Sequence, residues 1–216
     1  MGFELDHLFV CTLPGAPEAK ELLLFGLREG PPNHHPGQGT ANRRFSFENA
    51  MLELFWVQDE KEARSERTGR TLLWERWSGR ETTACPFGIC LRPDGASKNP
   101  SPFPGWEYRP AYLPNPLAMY IGDGGLDEPM WIYLPFQRRA QRKRNFVEHP
   151  AGIRKITEVI LTSPVSLHSA AAQTAVDFGI LKTQPGKEPL LDIQFDGGRR
   201  QNLVDFRPRL PLIFRF

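Results

Sequence analysis

The chain has few cysteines and no long hydrophobic run, and each absence excludes a class of protein. Cys11, Cys85 and Cys90 are the only cysteines in 216 residues, and their odd number and irregular spacing predict buried thiols in a reducing compartment rather than a disulfide framework. No stretch approaches the roughly 18 apolar residues of a membrane-spanning helix. The first residues also lack the basic and apolar pattern of a secretory signal. We therefore expect a cytoplasmic protein that does not bind membranes.

A strong excess of charge of one sign is also absent. The 27 Lys and Arg residues nearly balance the 25 Asp and Glu residues, which argues against a nucleic-acid partner. A hydrophobic fraction of 40% is typical of a globular domain with a real core. The basic run at 137–144, QRRAQRKR, is interpreted as solvated surface, with an anionic partner as the alternative.

Prolines and glycines are plentiful, 21 and 19 respectively, and they divide the chain into short elements. Apolar patterning predicts an α+β fold. The predicted elements of the first two thirds are a strand at 3–12, a helix at 16–27, a hairpin at 41–57, helical segments at 58–67 and 71–77, and strands at 85–92, 118–122 and 130–136. Residues 93–117 are predicted to form an irregular proline-rich loop.

The final third repeats the order of the beginning. It predicts a strand at 154–163, a helix at 165–178 and strands at 189–196 and 202–207. Aligning DHLFVCT with TEVILTS places His7 opposite Glu158, and aligning the two hairpins places Glu53 opposite Asp205. His7 and Glu53 are 46 residues apart, and Glu158 and Asp205 are 47 residues apart, so the sequence predicts an internal repeat.

The segments LDHLFV, HHPGQGTANRRFSF and MLELFW resemble the vicinal-oxygen-chelate superfamily, in particular its glyoxalase-like branch. The resemblance covers 3–57 as a first module and, more weakly, 154–207 within a second module at 154–216, with 58–153 as a long insertion. It implies a single domain over 1–216, built from two βαβββ modules that enclose a cleft.

The resemblance also implies a divalent metal in that cleft. Carried over residue by residue, the ligands are His7, Glu53, Glu158 and Asp205. One imidazole with several carboxylates suits Mn, Mg, Ni or Co, and Zn is a further candidate. The implied activity is that of a lyase or isomerase acting on a small oxygenated substrate, with Glu158 as the catalytic base beside the metal.

A metal is one of two explanations for these polar residues. Strand alternation predicts that His7 shares a face with Phe3, Leu5 and Phe9. A polar group on such a face costs about 1–3 kcal/mol unless it has a partner, which can be a metal or a hydrogen bond. Asp205 has an ion pair with a nearby arginine as its alternative. The alternative function is therefore a metal-free small-molecule binding or sequestering protein on the same fold.

The remaining candidates concern the walls of the cleft. Alternation predicts that one of Arg43 and Arg44 points inward, where it could bind a carboxylate or phosphate, and the alternative is a surface charge. Trp56 and Trp106 are candidates for an apolar pocket, although aromatic residues are more often part of the core. We expect a small-molecule ligand and no nucleic-acid or membrane partner. The sequence is compatible with a monomer and with a homodimer.

Overall fold

Strands dominate the α+β fold, and the helices are short. The computed structural model describes residues 2–95, 100–137 and 146–216, so the basic run at 137–144 lies outside the described residues except for Gln137. The strands are β1 (Phe3–Cys11), β2 (Asn33–His35), β3 (Thr40–Ser46), β4 (Met51–Val57), β5 (Phe87–Pro93), β6 (Gly105–Tyr108), β7 (Met119–Gly122), β8 (Met130–Tyr133), β9 (Ile156–Ser163), β10 (Lys182–Pro185), β11 (Leu190–Phe195), β12 (Leu203–Asp205) and β13 (Leu212–Arg215).

The helices are α1 (Ala19–Phe25), α2 (Glu60–Ala63), α3 (Glu66–Gly69), α4 (Leu73–Ser78) and α5 (Ala170–Asp177). Ser169 begins α5 by accepting a hydrogen bond from the backbone of Ala172, and Gly26 ends α1 with a φ of 101° that disfavours other residues. Within the described ranges, no helix is both long and apolar enough to cross a membrane.

Eight strands form the larger sheet, in the order β2-β3-β4-β1-β5-β8-β7-β6. Its two halves have the same internal pattern. β1 pairs in parallel with β4, and β5 pairs in parallel with β8, while the outer strands of each half are antiparallel. An antiparallel pairing of β1 with β5 joins the halves. The second half of the larger sheet therefore begins with β5, whose first residue is Phe87.

The expected division into modules differs from this arrangement. Residues 58–153, predicted to be an insertion between modules, supply β5–β8 and thus half of the larger sheet. Residues 154–216, predicted to be the second module, form a separate five-stranded sheet in the order β10-β9-β11-β13-β12. The two segments share strand patterning, and patterning alone does not specify which strands pair, because pairing depends on contacts between distant parts of the chain.

One face of the larger sheet packs against the five-stranded sheet and the helices α1 and α5. Leu8, Leu52 and Ile89 from the larger sheet share a hydrophobic core with Leu161 and Ile193 from the smaller one. The turn between β3 and β4 fastens the two sheets together. Its Asn49 side chain accepts a hydrogen bond from the Ile156 backbone N–H and donates one to the Ile156 carbonyl.

A bulge in β1 changes which side chains share a face. The register of β1 against β5 shifts between Leu5 and His7, leaving Asp6 as the extra residue. Phe3 and Leu5 pack against the main core, whereas His7 lies on the opposite face with Phe9. The prediction that His7 shares a face with Phe3 and Leu5 was therefore wrong, because side chains do not alternate strictly across a bulge.

Candidate functional site

The face of the larger sheet opposite the main core forms a cavity of about 580 Å³. Side chains from all eight strands of the larger sheet line it, together with Leu73 of α4 and residues of the connecting segments. The lining residues are His7, Phe9, Asn33, His35, Gln38, Arg44, Met51, Glu53, Phe55, Leu73, Cys90, Tyr108, Tyr112, Leu113, Met119, Met130, Ile132, Leu134, Phe136 and Gln137.

The wall of this cavity is chemically two-sided. The charged residues and histidines come from the first half of the sheet, as His7, His35, Arg44 and Glu53 on β1, β2, β3 and β4. The strands β7 and β8 of the second half contribute only apolar side chains to the wall, namely Met119, Met130 and Ile132. Among the described residues, the cavity thus presents its charged groups and histidines on the first half, beside the apolar Phe9, Met51 and Phe55, and flexible apolar side chains on β7 and β8.

His7 lies between two carboxylates at the polar side. Its Nδ1 is 2.7 Å from Oδ1 of Asp6, and its Nε2 is 3.9 Å from Oε2 of Glu53. The shorter contact is a hydrogen bond, which assigns Nδ1 as the donor because an ionised carboxylate only accepts. The longer one exceeds hydrogen-bonding distance, so His7 Nε2 and the Glu53 carboxylate remain open to a ligand atom placed between them.

The surroundings of His7 favour its protonated form. Burial alone lowers its pKa, but the neighbouring Cys90, Glu53 and Asp6 together raise the pKa well above the ordinary value of 6.5. Burial also raises the pKa of the Cys90 thiol, so this thiol is neutral at neutral pH. The negative charge that stabilises the imidazolium therefore comes from the two carboxylates.

A buried ion pair lies behind His7. The Arg92 guanidinium donates to Oδ2 of Asp6 at 2.8 Å, and both side chains are 0% exposed. Arg92 also donates to Glu4 at 2.9 Å and to the Asn49 carbonyl at 2.7 Å. These contacts hold the Asp6 carboxylate in place, so that its second oxygen orients the imidazole of His7.

Glu53 is the one carboxylate in the cavity wall within the described ranges, and it is 7% exposed. Asn42, on the adjacent strand β3, donates to its Oε2 at 2.7 Å. The hydrogen bond compensates part of the cost of burying the carboxylate. Strand β4 positions this group by alternation, with Met51 and Phe55 on the cavity face beside it.

His35 belongs to a neutral hydrogen-bonded group at the side of the cavity. Burial lowers its pKa to about 4. Asn33 donates to Nε2 at 2.9 Å, which leaves Nδ1 to donate to the Thr40 hydroxyl at 2.9 Å. The Gln38 side chain also donates to Thr40 and accepts from the Tyr108 hydroxyl. The Pro- and Gly-rich segment between the predicted helix at 16–27 and the predicted hairpin at 41–57 was expected to be a loop, and the structure instead makes His35 part of strand β2.

The two arginines of β3 lie on opposite faces, as alternation predicts. Arg43 donates to Glu29 through Nε and Nη2 at 2.7 and 2.5 Å, and to the Ala16 carbonyl, away from the cavity. Arg44 lines the cavity, and its Nε and Nη2 donate to the Pro31 carbonyl. Of the two candidates for ligand binding, the structure places Arg44 at the cavity and Arg43 outside it.

The four predicted metal ligands do not come together. His7 and Glu53 are neighbours, but Glu158 lies on β9 of the smaller sheet and forms an ion pair with Lys182. Asp205 lies on β12, where two hydrogen bonds from the Arg207 guanidinium lower its pKa. The predicted ligand set is divided between two sheets, because Glu158 and Asp205 were chosen from a segment that forms the smaller sheet.

The chemistry of the site does not fit the expected metal. Across residues 2–95, 100–137 and 146–216, no group of three or more His, Cys, Asp or Glu side chains is placed to hold an ion. Of the four expected ligands, only His7 and Glu53 line the cavity, and the hydrogen bond from Nδ1 to Asp6 leaves Nε2 as the single ligand atom that His7 could offer. Neither Glu158 nor Asp205 is positioned to act on a ligand in this cavity.

The two predicted tryptophans do not line the cavity. Trp56 belongs to the main core, because it alternates with Phe55 along β4. Trp106 packs beside the apolar side of the cavity, with its ring against Tyr108 and with the Arg70 guanidinium 4.2 Å from its centre. Tyr108 and Tyr112 are the aromatic residues between 93 and 117 that line the cavity.

Sequence reasoning missed Asp6 and Arg92, which support the site. Asp6 directly precedes His7, and strict alternation assigned it to the other face. Arg92 interrupts a run of apolar residues in β5 and is 0% exposed, which is unusual for a charged side chain. The charged Arg92 within the apolar strand sequence could have indicated a buried ion pair. Its partner Asp6, however, lies 86 residues earlier in the chain.

Comparison with known proteins adds a fold but no function. No family model matches the chain, and no curated protein is similar to it. The chain is similar to the crystal structure of a hypothetical protein from Staphylococcus aureus, with a TM-score of 0.51 and 13% sequence identity. The alignment covers 100% of this chain and 99% of that one. At this identity the likeness shows the α+β fold alone.

Proposed function

We propose that the protein binds a small amphipathic molecule in the cavity without a metal ion. The observation that carries the proposal is the two-sided wall, with ionisable groups on the β1–β4 half and apolar side chains on β7 and β8. A ligand with one polar and one apolar end matches both sides. The cavity volume of about 580 Å³ falls within the roughly 300–1,000 Å³ of small-molecule sites.

In this proposal His7 and Glu53 bind the polar end of the ligand. The 3.9 Å between Nε2 and Oε2 leaves both groups without a direct hydrogen bond to each other. A ligand oxygen between them accepts from the His7 imidazolium, and where that oxygen belongs to a hydroxyl it also donates to the Glu53 carboxylate. Asp6 keeps the imidazole oriented for this contact, and no step depends on a metal ion.

We also propose that the larger sheet is the paired-module sheet of glyoxalase-like proteins, with its second module at 87–133. The support is the equivalent strand order of the two halves, each with its first and fourth strands parallel. His7 and Glu53 then occupy the first and fourth strands of the first module. The metal-dependent lyase or isomerase stays a prediction that experiment has to decide.

Thermal unfolding with a library of small amphipathic compounds tests the proposed function. We expect some compounds to raise the melting temperature, and we expect EDTA to leave that shift unchanged. Met130→Trp fills the apolar side of the cavity and should abolish the shift. Leu203→Trp is the matched control, because Leu203 is 51% exposed in the other sheet.

Two results would contradict the proposal. One is a library in which no compound stabilises the protein, and the other is Met130→Trp that folds, judged by circular dichroism, and still binds as the unmodified protein does. A stoichiometric Mn²⁺, Ni²⁺, Co²⁺ or Zn²⁺ ion in equilibrium dialysis, lost in His7→Ala, would favour the metal-dependent enzyme instead. Ligand binding that EDTA abolishes would point the same way.

A further inference from the structure

Arg44 is a charged residue of the cavity wall that lacks a carboxylate partner. Its Nε and Nη2 both donate to the Pro31 carbonyl, at 2.9 and 2.8 Å. In the part of the chain that the structure describes, no Asp or Glu oxygen lies within 4.0 Å of this guanidinium. A guanidinium carries five N–H donors, so several remain available to a ligand.

The neighbouring cations differ from Arg44 in this respect. Arg43 binds Glu29 through two hydrogen bonds of 2.7 and 2.5 Å. Arg92 binds Asp6 at 2.8 Å. His7 also binds Asp6, at 2.7 Å. Arg44 is thus set apart from them as a cation that faces the cavity with its charge unmatched.

We propose that the ligand is a monocarboxylic acid with an apolar body, and that Arg44 binds its carboxylate. The inference rests on the proposed function, since it names the class of molecule that fills the same cavity. A planar guanidinium matches a carboxylate in geometry and charge. Among the described residues of the wall, Arg44 is the one cation without a carboxylate partner, which suits one negative charge, whereas a phosphate dianion calls for a second cation.

The apolar part of the acid lies against the second half of the sheet. Met119, Met130 and Ile132 supply that wall, and Leu134 extends it beyond the end of β8. Methionine side chains adapt to the shape of an apolar partner, so the wall accepts both straight and aromatic chains. Arg44 therefore selects the charged end of the ligand, whereas the apolar wall selects its body only by size and polarity.

Glu53 lies close to the proposed carboxylate, because the register of β3 and β4 pairs it with Arg44. Its charge is offset by two neighbours. Asn42 donates to Oε2 at 2.7 Å, and the protonated His7 lies 3.9 Å from the same oxygen. The charge of Glu53 is therefore compensated by its neighbours, whereas the charge of Arg44 is not. An anionic ligand can then bind Arg44 although Glu53 lies close by.

Calorimetric titration with two pairs of probes tests this inference. The acids are octanoate and 4-phenylbutanoate, and the neutral counterparts are octanamide and 4-phenylbutanamide. We expect at least one acid to bind about tenfold or more tightly than its amide. Arg44→Met should lower the affinity for that acid to that of the amide, and Arg44→Lys should keep part of the preference. Arg43→Met is the matched control and should keep all of it.

Several outcomes overturn the inference and leave the proposed function standing. One is that the acids bind no better than their amides, while a neutral compound binds to the unmodified protein and does not bind to Met130→Trp. A preference for acids that survives in Arg44→Met overturns the assignment to Arg44. Tighter binding of octylphosphonate than of octanoate overturns the carboxylate. Failure of every acid, amide and library compound to bind defeats the proposed function as well.

Discussion

The Asp6 carboxylate accepts a hydrogen bond of 2.7 Å from Nδ1 of His7, the residue that follows it in the chain. Consecutive side chains of a regular strand point to opposite faces, so this contact depends on the bulge in β1. The bulge brings a buried carboxylate and a cavity imidazole to the same face. Arg92 completes the arrangement by neutralising Asp6 from β5.

Asp6→Asn is expected to destabilise the protein by about 2–4 kcal/mol. The substitution leaves the fully buried Arg92 without its most buried counter-ion, and removing one partner of a buried pair is costly. Urea denaturation measures the loss. Glu4→Gln is the matched control, because Glu4 binds the same guanidinium but is 15% exposed, and it should cost about 1 kcal/mol or less. Equal losses in the two variants would contradict the assigned role of Asp6.

His35 is expected to make the protein less stable as the pH falls. Its pKa is about 4 in the folded protein, against an ordinary value of 6.5. Between these values the unfolded chain binds a proton that the folded protein does not, so the contribution of His35 to stability is present above pH 6.5 and is lost toward pH 4. The full loss is about 3 kcal/mol.

Unfolding free energies measured across this pH range test the expectation. The stability difference between the unmodified protein and His35→Gln should shrink as the pH falls. His34→Gln is the control, because His34 is exposed and contacts only the Gln58 side chain among described hydrogen bonds. A His35→Gln variant with the pH dependence of the unmodified protein would show that folding does not lower the pKa of His35.

Gly88→Ala is expected to weaken ligand binding by moving Phe9. A Cβ at Gly88 would lie 1.9 Å from the Phe9 ring, which lines the cavity. The ring has to shift, and overpacking of this kind costs about 1–3 kcal/mol. Melting temperature with and without a bound library compound measures both effects. Gly95→Ala meets no atom within 4 Å and should change neither, and unchanged binding in Gly88→Ala would contradict the placement of Phe9 in the wall.

The elements of the first quarter of the chain were predictable from local pattern. Residues typical of strands, together with a turn at Asn49-Ala50, indicate β1, β3 and β4, although polar residues interrupt β1 and β3. The same reasoning placed Glu53 on a face with Met51 and Phe55, and it divided Arg43 from Arg44. Short strands such as β2 and β6 were missed because their residues carry loop-like patterns.

The sequence by itself determined the α+β class and the opposite faces of Arg43 and Arg44, and the family resemblance implied that His7 and Glu53 lie together. Only the tertiary structure decided that 87–133, and not 154–207, completes the larger sheet. It also decided that Asp6 supports His7. Both depend on contacts between strands far apart in the chain, and a local pattern of apolar residues carries no information about which distant strand will be its partner.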